Sequence, residues 1–484
     1  MIKGARARTP LLRLQILVFV LFLSPVAAHS ADTSAPTVPA TATPSGTAQP
    51  GKLTLEEAVR ITLENQSSLK SAQYQIKAQD AVLHQQMSAY YPTVTLNNAY
   101  QTQNVGGNSP AASQGFDKIS SGANLSMTLY NFGKREGQVQ SARDTLEATQ
   151  HAYHATANNI VLSVKQAYYG VIQANALLRV NEETVKDREE TLRQTQGFYD
   201  VGTKPKSDVT QAQANLYIAQ ANLILAKNAV NTAWATLRNA MGVDAYPQQP
   251  LDEDLSVTAF TMSLDDAKKI AFSARPELRQ FDAQLRARDQ LIAVARRGHL
   301  PELSFSANWS HSNVSNGTIS GGCAEEVFVS GVFNGTNDTR LCVARESRHV
   351  DTFPLKPSWQ VQLSLSIPIF NGFQTTYQVQ EALSNYQSTK EQERVEWQQV
   401  ALQVEQSYLN VIATREAVKA NEAAVKAAKE NLELHEGRYQ VGYAPIVEVT
   451  DAQTTYVTAQ TNHVNALIAY KLAMAQLANA MGGQ

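Results

Sequence analysis

Few side chains of this 484-residue sequence are spaced for chemistry. His151 and His154 stand at i, i+3 in a stretch patterned as helix and could share a metal ion. No third ligand is near them in the sequence, so they read as solvated residues of a helix face. Cys323 and Cys342 lie 19 positions apart among Gly, Asn and Ser. In a secreted loop such a pair is expected to be bonded. Asp208, Glu448 and Asp451 follow two Val-Gly turns whose glycines, Gly202 and Gly442, are placed to end long helices. Glu448 and Asp451 are i, i+3 and share one helix face. Acids at a helix start also favour its dipole, which by itself accounts for them. Tyr199, Arg438 and Tyr439 stand just ahead of the same turns. GxSxG, GxGxxG, P-loop and HExxH patterns are absent. No catalytic residue, cofactor or metal site is expected, and the chain does not read as an enzyme.

The elements around these residues read as those of an exported protein. The chain is 43% apolar and 17% charged, with 41 Lys and Arg against 43 Asp and Glu. Such a balance, without a basic tract, argues against a nucleic-acid partner. Two cysteines exclude a disulfide-dense, iron–sulfur or Cys-rich zinc protein. No apolar run reaches the ~20 residues that a spanning helix needs. Lys3, Arg6, Arg8 and Arg13 precede the apolar run Ile16–Leu23 and the small residues around Ala27 and Ala28. That order makes residues 1–28 a signal peptide. Residues 29–52, rich in Pro, Thr, Ala and Ser, lack the apolar residues to fold and should form a disordered arm.

The remainder is a duplication. Gln166–Gly242 and Gln406–Gly482 share 31 identities in 77 positions at a constant offset of 240, without a gap. Nearer the start the offset is 209, where Leu53–Ala58 faces Met262–Ala267 and Pro92 faces Pro301. The difference locates a 31-residue insertion in the second copy, between Pro301 and Phe370. The first repeat spans 53–242, a connector 243–261, and the second repeat 262–484.

Each copy has one order of elements: a short amphipathic helix (53–64; 263–273), a second helix (67–90; 276–298), two β-like segments, a long helix (134–199; 374–439) and a returning helix (207–241; 447–481). The long stretches hold 66 residues each without proline, roughly 100 Å if unbroken. The two shorter helices add up to nearly that length, so stacked end to end they can partner one long helix. Val164, Ala167, Val171, Ala174, Leu178, Asn181, Val185, Arg188 and Leu192 alternate at spacings of three and four, and 404–432 repeats the pattern. The pattern is a coiled-coil seam. Its Asn, Ser, Thr and Arg members suit a wide ring with water on one side better than a dry core; a filamentous coiled coil is the alternative.

The β segments alternate. Ala123, Leu125, Met127 and Leu129 are separated by polar residues, as are Leu303, Phe305, Ala307 and Trp309, and Trp359, Val361, Leu363 and Leu365. Val94 and Leu96 follow the same rule. A half-buried soluble sheet gives this alternation too. The export signal, and the aromatic residues Tyr130, Trp359 and Phe370 near strand ends, favour a lipid-facing wall over about 93–130 and 302–370. Strand edges are not tolerated in hydrocarbon. Four strands cannot close around water, so the barrel must be shared between chains.

From about Leu53 onward the chain resembles the TolC family of outer-membrane efflux and secretion channels. The resemblance rests on the duplicated LTLEEA and MSLDDA starts and on Arg275-Pro276-Glu277-Leu278. It rests also on the strand ends Leu129–Gly133 and Pro368–Gly372 and on the turns Tyr199–Gly202 and Arg438–Gly442. It implies a mainly α protein with a small β part: a homotrimer with a shared twelve-stranded β-barrel in outer-membrane lipid. Below this it implies a twelve-helix α-barrel tunnel in the periplasm, girdled by a belt that takes 53–64, 263–273 and the connector. It implies a passive duct served by a periplasmic adaptor (membrane fusion) protein and an inner-membrane pump, in tripartite efflux or type I secretion. Acids at the positions of Asp208, Glu448 and Asp451 would line the closed periplasmic mouth, and Tyr199, Arg438 and Tyr439 would hold it shut. The alternative class is a poreless structural or adaptor coiled coil of the cell envelope.

Overall fold

The computed structural model describes residues 51–105, 114–257, 260–316, 323–329, 339–345 and 356–483. The expected signal peptide, and all but the last two residues of the arm, lie outside them. Eight helices carry the described chain: α1 (Leu55–Asn65), α2 (Ser67–Met87), α3 (Lys134–Asp200), α4 (Lys206–Met241), α5 (Leu264–Ala274), α6 (Pro276–Arg296), α7 (Gln374–Gln440) and α8 (Ile446–Ala480). The strands are β1 (Thr93–Val105), β2 (Gln114–Tyr130), β3 (Glu302–Asn316), β4 (Cys323–Val329), β5 (Thr339–Arg345) and β6 (Lys356–Ser366).

The helix starts follow from local chemistry. Thr54 and Ser263, equivalent in the two repeats, cap α1 and α5 by accepting from the backbone N–H of Glu57 and Asp266, each at 3.2 Å. Pro276 opens α6, where its missing N–H costs nothing. The expected second helices are shorter in α form, because Ser88–Tyr90 and Arg297–His299 tighten into 3₁₀ turns before the chain extends.

Each long helix is continuous and serves as the axis of its repeat. α3 packs α2 and α6 in its upper half and α4 and α8 in its lower half; α7 packs α6 above and α8 below. All eighteen seam positions, nine on each long helix, are buried or half-buried. The largest buried cluster joins Val164, Tyr168, Val171 and Ile172 of α3 to Trp234, Leu237 and Met241 of α4 and to Leu53 and Leu251. The Tyr168 hydroxyl lies 3.0 Å from the Leu53 carbonyl oxygen and accepts from the Asp252 N–H at 3.1 Å. With the parallel Leu53–Leu251 bridge, this ties the connector across the waist of α3. In the second repeat Val400, Val404, Ala267, Ala271 and Leu278 form the matching cluster.

β1, β2, β3 and β6 form one antiparallel sheet in that order. Its register sorts the residues by face. One face carries the rows Val94–Leu125–Ala307–Val361 and Leu96–Ala123–Trp309–Trp359; the other carries Thr93–Ser126–Ser306–Gln362 and Thr95–Asn124–Asn308–Gln360. Among the described residues nothing covers the apolar face: Leu363 is 64% and Trp359 78% exposed. Among the described residues no helix is long and apolar enough to cross a membrane. The insertion, expected as a loop, holds a second antiparallel pair, β4–β5. Its β-branched and aromatic residues, Val327, Phe328, Val329, Thr339 and Val343, favour the strands.

Candidate functional site

The two long helices end alike. The Gly202 N–H donates to the Tyr199 carbonyl at 2.9 Å and the Thr203 N–H to that of Phe198 at 2.9 Å. Gly442 and Tyr443 repeat this with Tyr439 and Arg438, at 3.1 and 2.8 Å. The pattern is a Schellman cap, which needs a left-handed residue at its centre. Gly202 and Gly442 have φ of 79° and 88°. Neither has an atom within 4 Å of where a Cβ would sit, so conformation and not space calls for glycine here. Pro205 and Pro445 then open the returning helices, putting Asp208 and Glu448 in the first turn.

The side chains around these equal turns are unequal. In the second hairpin the Glu448 carboxylate accepts from Arg438 Nη1 at 3.2 Å and lies 3.1 Å from His435 Nδ1. At the equivalent positions the first hairpin has Asp208, Phe198 and Thr195. Tyr439 packs with Ala444, Ile446 and Val449 of its own hairpin and reaches across to the first. It is 3% exposed. Its ring meets Phe198 edge-on at 5.9 Å between centroids, and Lys204 Nζ sits 4.4 Å from its centroid. Its buried hydroxyl turns toward Thr195 and Asp208 without reaching hydrogen-bond geometry with either. Burial, and the Asp208 charge in the same direction, push the phenol above its ordinary pKa, so the ring stays neutral.

Of the residues expected at this tip, the fold brings together Tyr439 with Asp208, and Arg438 with Glu448. Tyr199 and Asp451 face solvent within the chain. Sequence reasoning missed His435, Phe198 and Lys204. A signal for His435 existed: it and Glu448 lie equally far from the Val441-Gly442 turn, as facing residues of an antiparallel hairpin do. The register of β4–β5 pairs Cys323 with Arg345 and Cys342 with Glu326. The cysteines thus sit on facing strands, three ladder steps from direct opposition; their side chains lie outside the described residues. His151 is half-buried with Nε2 3.8 Å from Glu147, and burial lowers its pKa. His154 meets the edge of Tyr153.

A duplicated pair of long helical hairpins below a sheet that is apolar on one face and polar on the other is the build of an envelope channel subunit. The comparisons agree. The model of the outer membrane efflux protein family matches residues 58–243 and 269–483. The outer membrane protein TolC of Vibrio cholerae is 27% identical over 433 residues, covering 88% of this chain and 90% of that one. The probable efflux pump outer membrane protein TtgC of Pseudomonas putida is 22% identical, covering 89% and 83%. Among solved structures, CusC superposes with a TM-score of 0.72 at 17% identity, covering 89% of this chain and 92% of that one.

The chain belongs to the outer membrane efflux protein family. It is an outer-membrane efflux channel, located in the outer membrane and not an enzyme. The alternative of a poreless envelope coiled coil is not favoured by this membership.

Proposed function

We propose that three copies of this chain close a passive duct whose lower end is a gate built from the helix tips. The observation that carries this reading is the arrangement of open edges. In the sheet, β1 and β6 are the unpaired edges. Among the described helices, α2 and α4 flank α3 on one side, while of the long tunnel helices α7 meets α6 and α8, with the short α5 laid against it. First-repeat elements thus form one open edge and second-repeat elements the other, at every level. Both edges carry uncovered apolar side chains. Tyr217, Ile218, Ile224 and Leu225 on α4, and Val395, Leu402 and Leu409 on α7, are about half exposed or more. Head-to-tail contact of such edges makes a closed ring. β6 of one copy meets β1 of the next in antiparallel sense, and three copies supply twelve strands and twelve tunnel helices. The repeats 53–242 and 262–484, joined by 243–261, then contribute alternate sectors of the wall.

At the tip, Tyr439 clasps the two hairpins of one subunit, Arg438 holds Glu448, and Asp208, Glu448 and Asp451 from three copies give a ring of acids. Tyr199, exposed on a single chain, faces a neighbouring tip. A periplasmic adaptor and an inner-membrane pump load the duct, in tripartite efflux or type I secretion. The Cys323–Cys342 pair, on the facing strands β4 and β5, closes the outer loop as a disulfide. The test is extraction from outer-membrane fractions. A heat-labile, SDS-resistant species of three chains that forms pores in planar bilayers is expected; a monomer that forms pores alone overturns the ring.

A further inference from the structure

About 20 Å above the first turn, counted as fourteen residues of helix from Gly202, a buried cation joins the two hairpins. Arg188 of α3 is 8% exposed. Its Nη1 donates to Gln453 Oε1 of α8, and its Nη2 to Thr454 Oγ1 at 3.3 Å. Gln453, 4% exposed, also donates through Nε2 to Thr191 Oγ1 at 2.9 Å and, at the limit of reach, to Glu436 Oε1 at 3.5 Å. One glutamine side chain therefore links α3, α7 and α8. Among the described residues no carboxylate accepts a hydrogen bond from Arg188: its bonds go to the neutral oxygens of Gln453 and Thr454, and the neighbouring Asp187 charge acts on it only through space.

The site belongs to the seam between hairpins and not to the repeat. At the offset of 240 Gln453 has its counterpart in Gln213, but Arg188 is replaced by Ala428. Only the seam inside one chain carries the cation.

We infer that Arg188 and Gln453 form a second clasp above the tip, and that the buried charge of Arg188 sets this clasp to release. The inference rests on the reading of the tip as a gate. In the closed arrangement the guanidinium gives up water for two neutral acceptors. When α8 moves off α3 water returns to it. A buried charge that loses one partner is costlier than an apolar group in the same place. The two members of the clasp therefore have opposite effects, which a contact with no charge logic does not give.

The experiment is open probability in planar bilayers, using full-length protein purified as SDS-resistant trimers, with Tyr439→Ala as a control for the gate itself. Gln453→Ala strands the cation and is expected to raise open probability about tenfold, the scale for losing a hydrogen bond to a charged group. Arg188→Met removes the charge and, added to Gln453→Ala, is expected to cancel that rise. Gln453→Glu supplies a carboxylate and is expected to lower open probability below that of the parent. The inference is overturned if Arg188→Met opens the channel as much as Gln453→Ala, or if the double variant opens more than either single one. It is overturned too if Gln453→Ala has no effect while Tyr439→Ala opens the channel. If neither variant opens it, the gate reading fails with it. Trimer yield and thermal unfolding of each variant separate these outcomes from misfolding.

Discussion

Replacing Tyr439 tests what closes the tip, because ring and hydroxyl make separable predictions. An aromatic ring in such a setting removes about 150 Å² or more from water. At about 25 cal/mol per Å² that contributes about 4 kcal/mol per subunit to the packed arrangement. Truncation of buried rings costs about 3 to 5 kcal/mol by a separate route, the cavity series. Tyr439 is 3% exposed, but Ala444, Ile446 and Val449 belong to its own hairpin and stay with it, so only the face against Phe198 and Lys204, about half of that value or about 2 kcal/mol, is at stake in opening. Opening the hairpins forfeits it. Tyr439→Ala should thus shift the gate toward open by more than about tenfold per subunit, at about 1.4 kcal/mol per tenfold. The hydroxyl is buried but makes no well-formed hydrogen bond. Tyr439→Phe should therefore change the equilibrium by less than about 1 kcal/mol, within about fivefold. The assay is single-channel recording in planar bilayers, with trimer stability in SDS as the folding check. If Tyr439→Phe opens the channel as far as Tyr439→Ala, the hydroxyl contact with Asp208 or Thr195 closes the tip, and the packing account is wrong.

Further outcomes follow from other parts of the molecule. Replacing Asp208, Glu448 and Asp451 together with Ala should reduce cation selectivity and abolish block by trivalent metal ions added from the periplasmic side, since clustered carboxylates are hard oxygen ligands; unchanged reversal potentials would assign these acids to helix starts alone. Burial and neighbouring carboxylates raise the pKa values of Asp187 and Glu436 in the packed tip. The packed state then holds protons more tightly, so acidification should favour closure, beginning above the ordinary carboxylate range of about pH 4 and complete below it; Asp187→Asn with Glu436→Gln should flatten that pH profile of conductance. Leu363→Arg, on the apolar face of the sheet, should cost about 2–4 kcal/mol and lower the yield in outer membranes, while Gln362→Arg on the polar face should insert normally. Non-reduced protein should take up no thiol label at Cys323 or Cys342; full labelling before reduction would remove the disulfide.

The fold was legible because its signals are long-range regularities. An offset held over 77 positions, seams over 164–192 and 404–432, and alternation at Trp359–Leu365 need no knowledge of tertiary contacts. The register of the sheet follows from alternation too, since a one-residue slip would turn Leu363 to the polar side. The tip was legible only in part. Gly202 and Gly442 announce the turns, because no other residue type adopts their φ at so little cost. The meeting of Tyr439 with Phe198 and Lys204 joins residues 241 and 235 positions apart, and no local pattern encodes it. The β4–β5 pair was missed because Gly, Asn and Ser around it read as loop.

The comparison of the two repeats goes further than either alone. A residue that contacts only its own repeat sees the same surroundings in both copies, so the same side chain serves twice. Val164 and Val404, Val171 and Val411, and Tyr168 and Tyr408 are pairs that sit chiefly within their own repeats; the first two pairs are fully buried and the tyrosines hydrogen-bond to Leu53 or Asp252 and to Met262. A residue that faces the other repeat meets different surroundings in each copy and has reason to diverge. Asp187, Arg188 and Thr195 correspond to Ala427, Ala428 and His435; Phe198 corresponds to Arg438, and Gln196 to Glu436. The differences gather over the last turns of the long helices, where α3 meets α8 and Tyr439 crosses to the first hairpin. Identity within the duplication thus marks what each unit needs to fold. Divergence marks where the units face one another, which is the seam that an opening movement must separate.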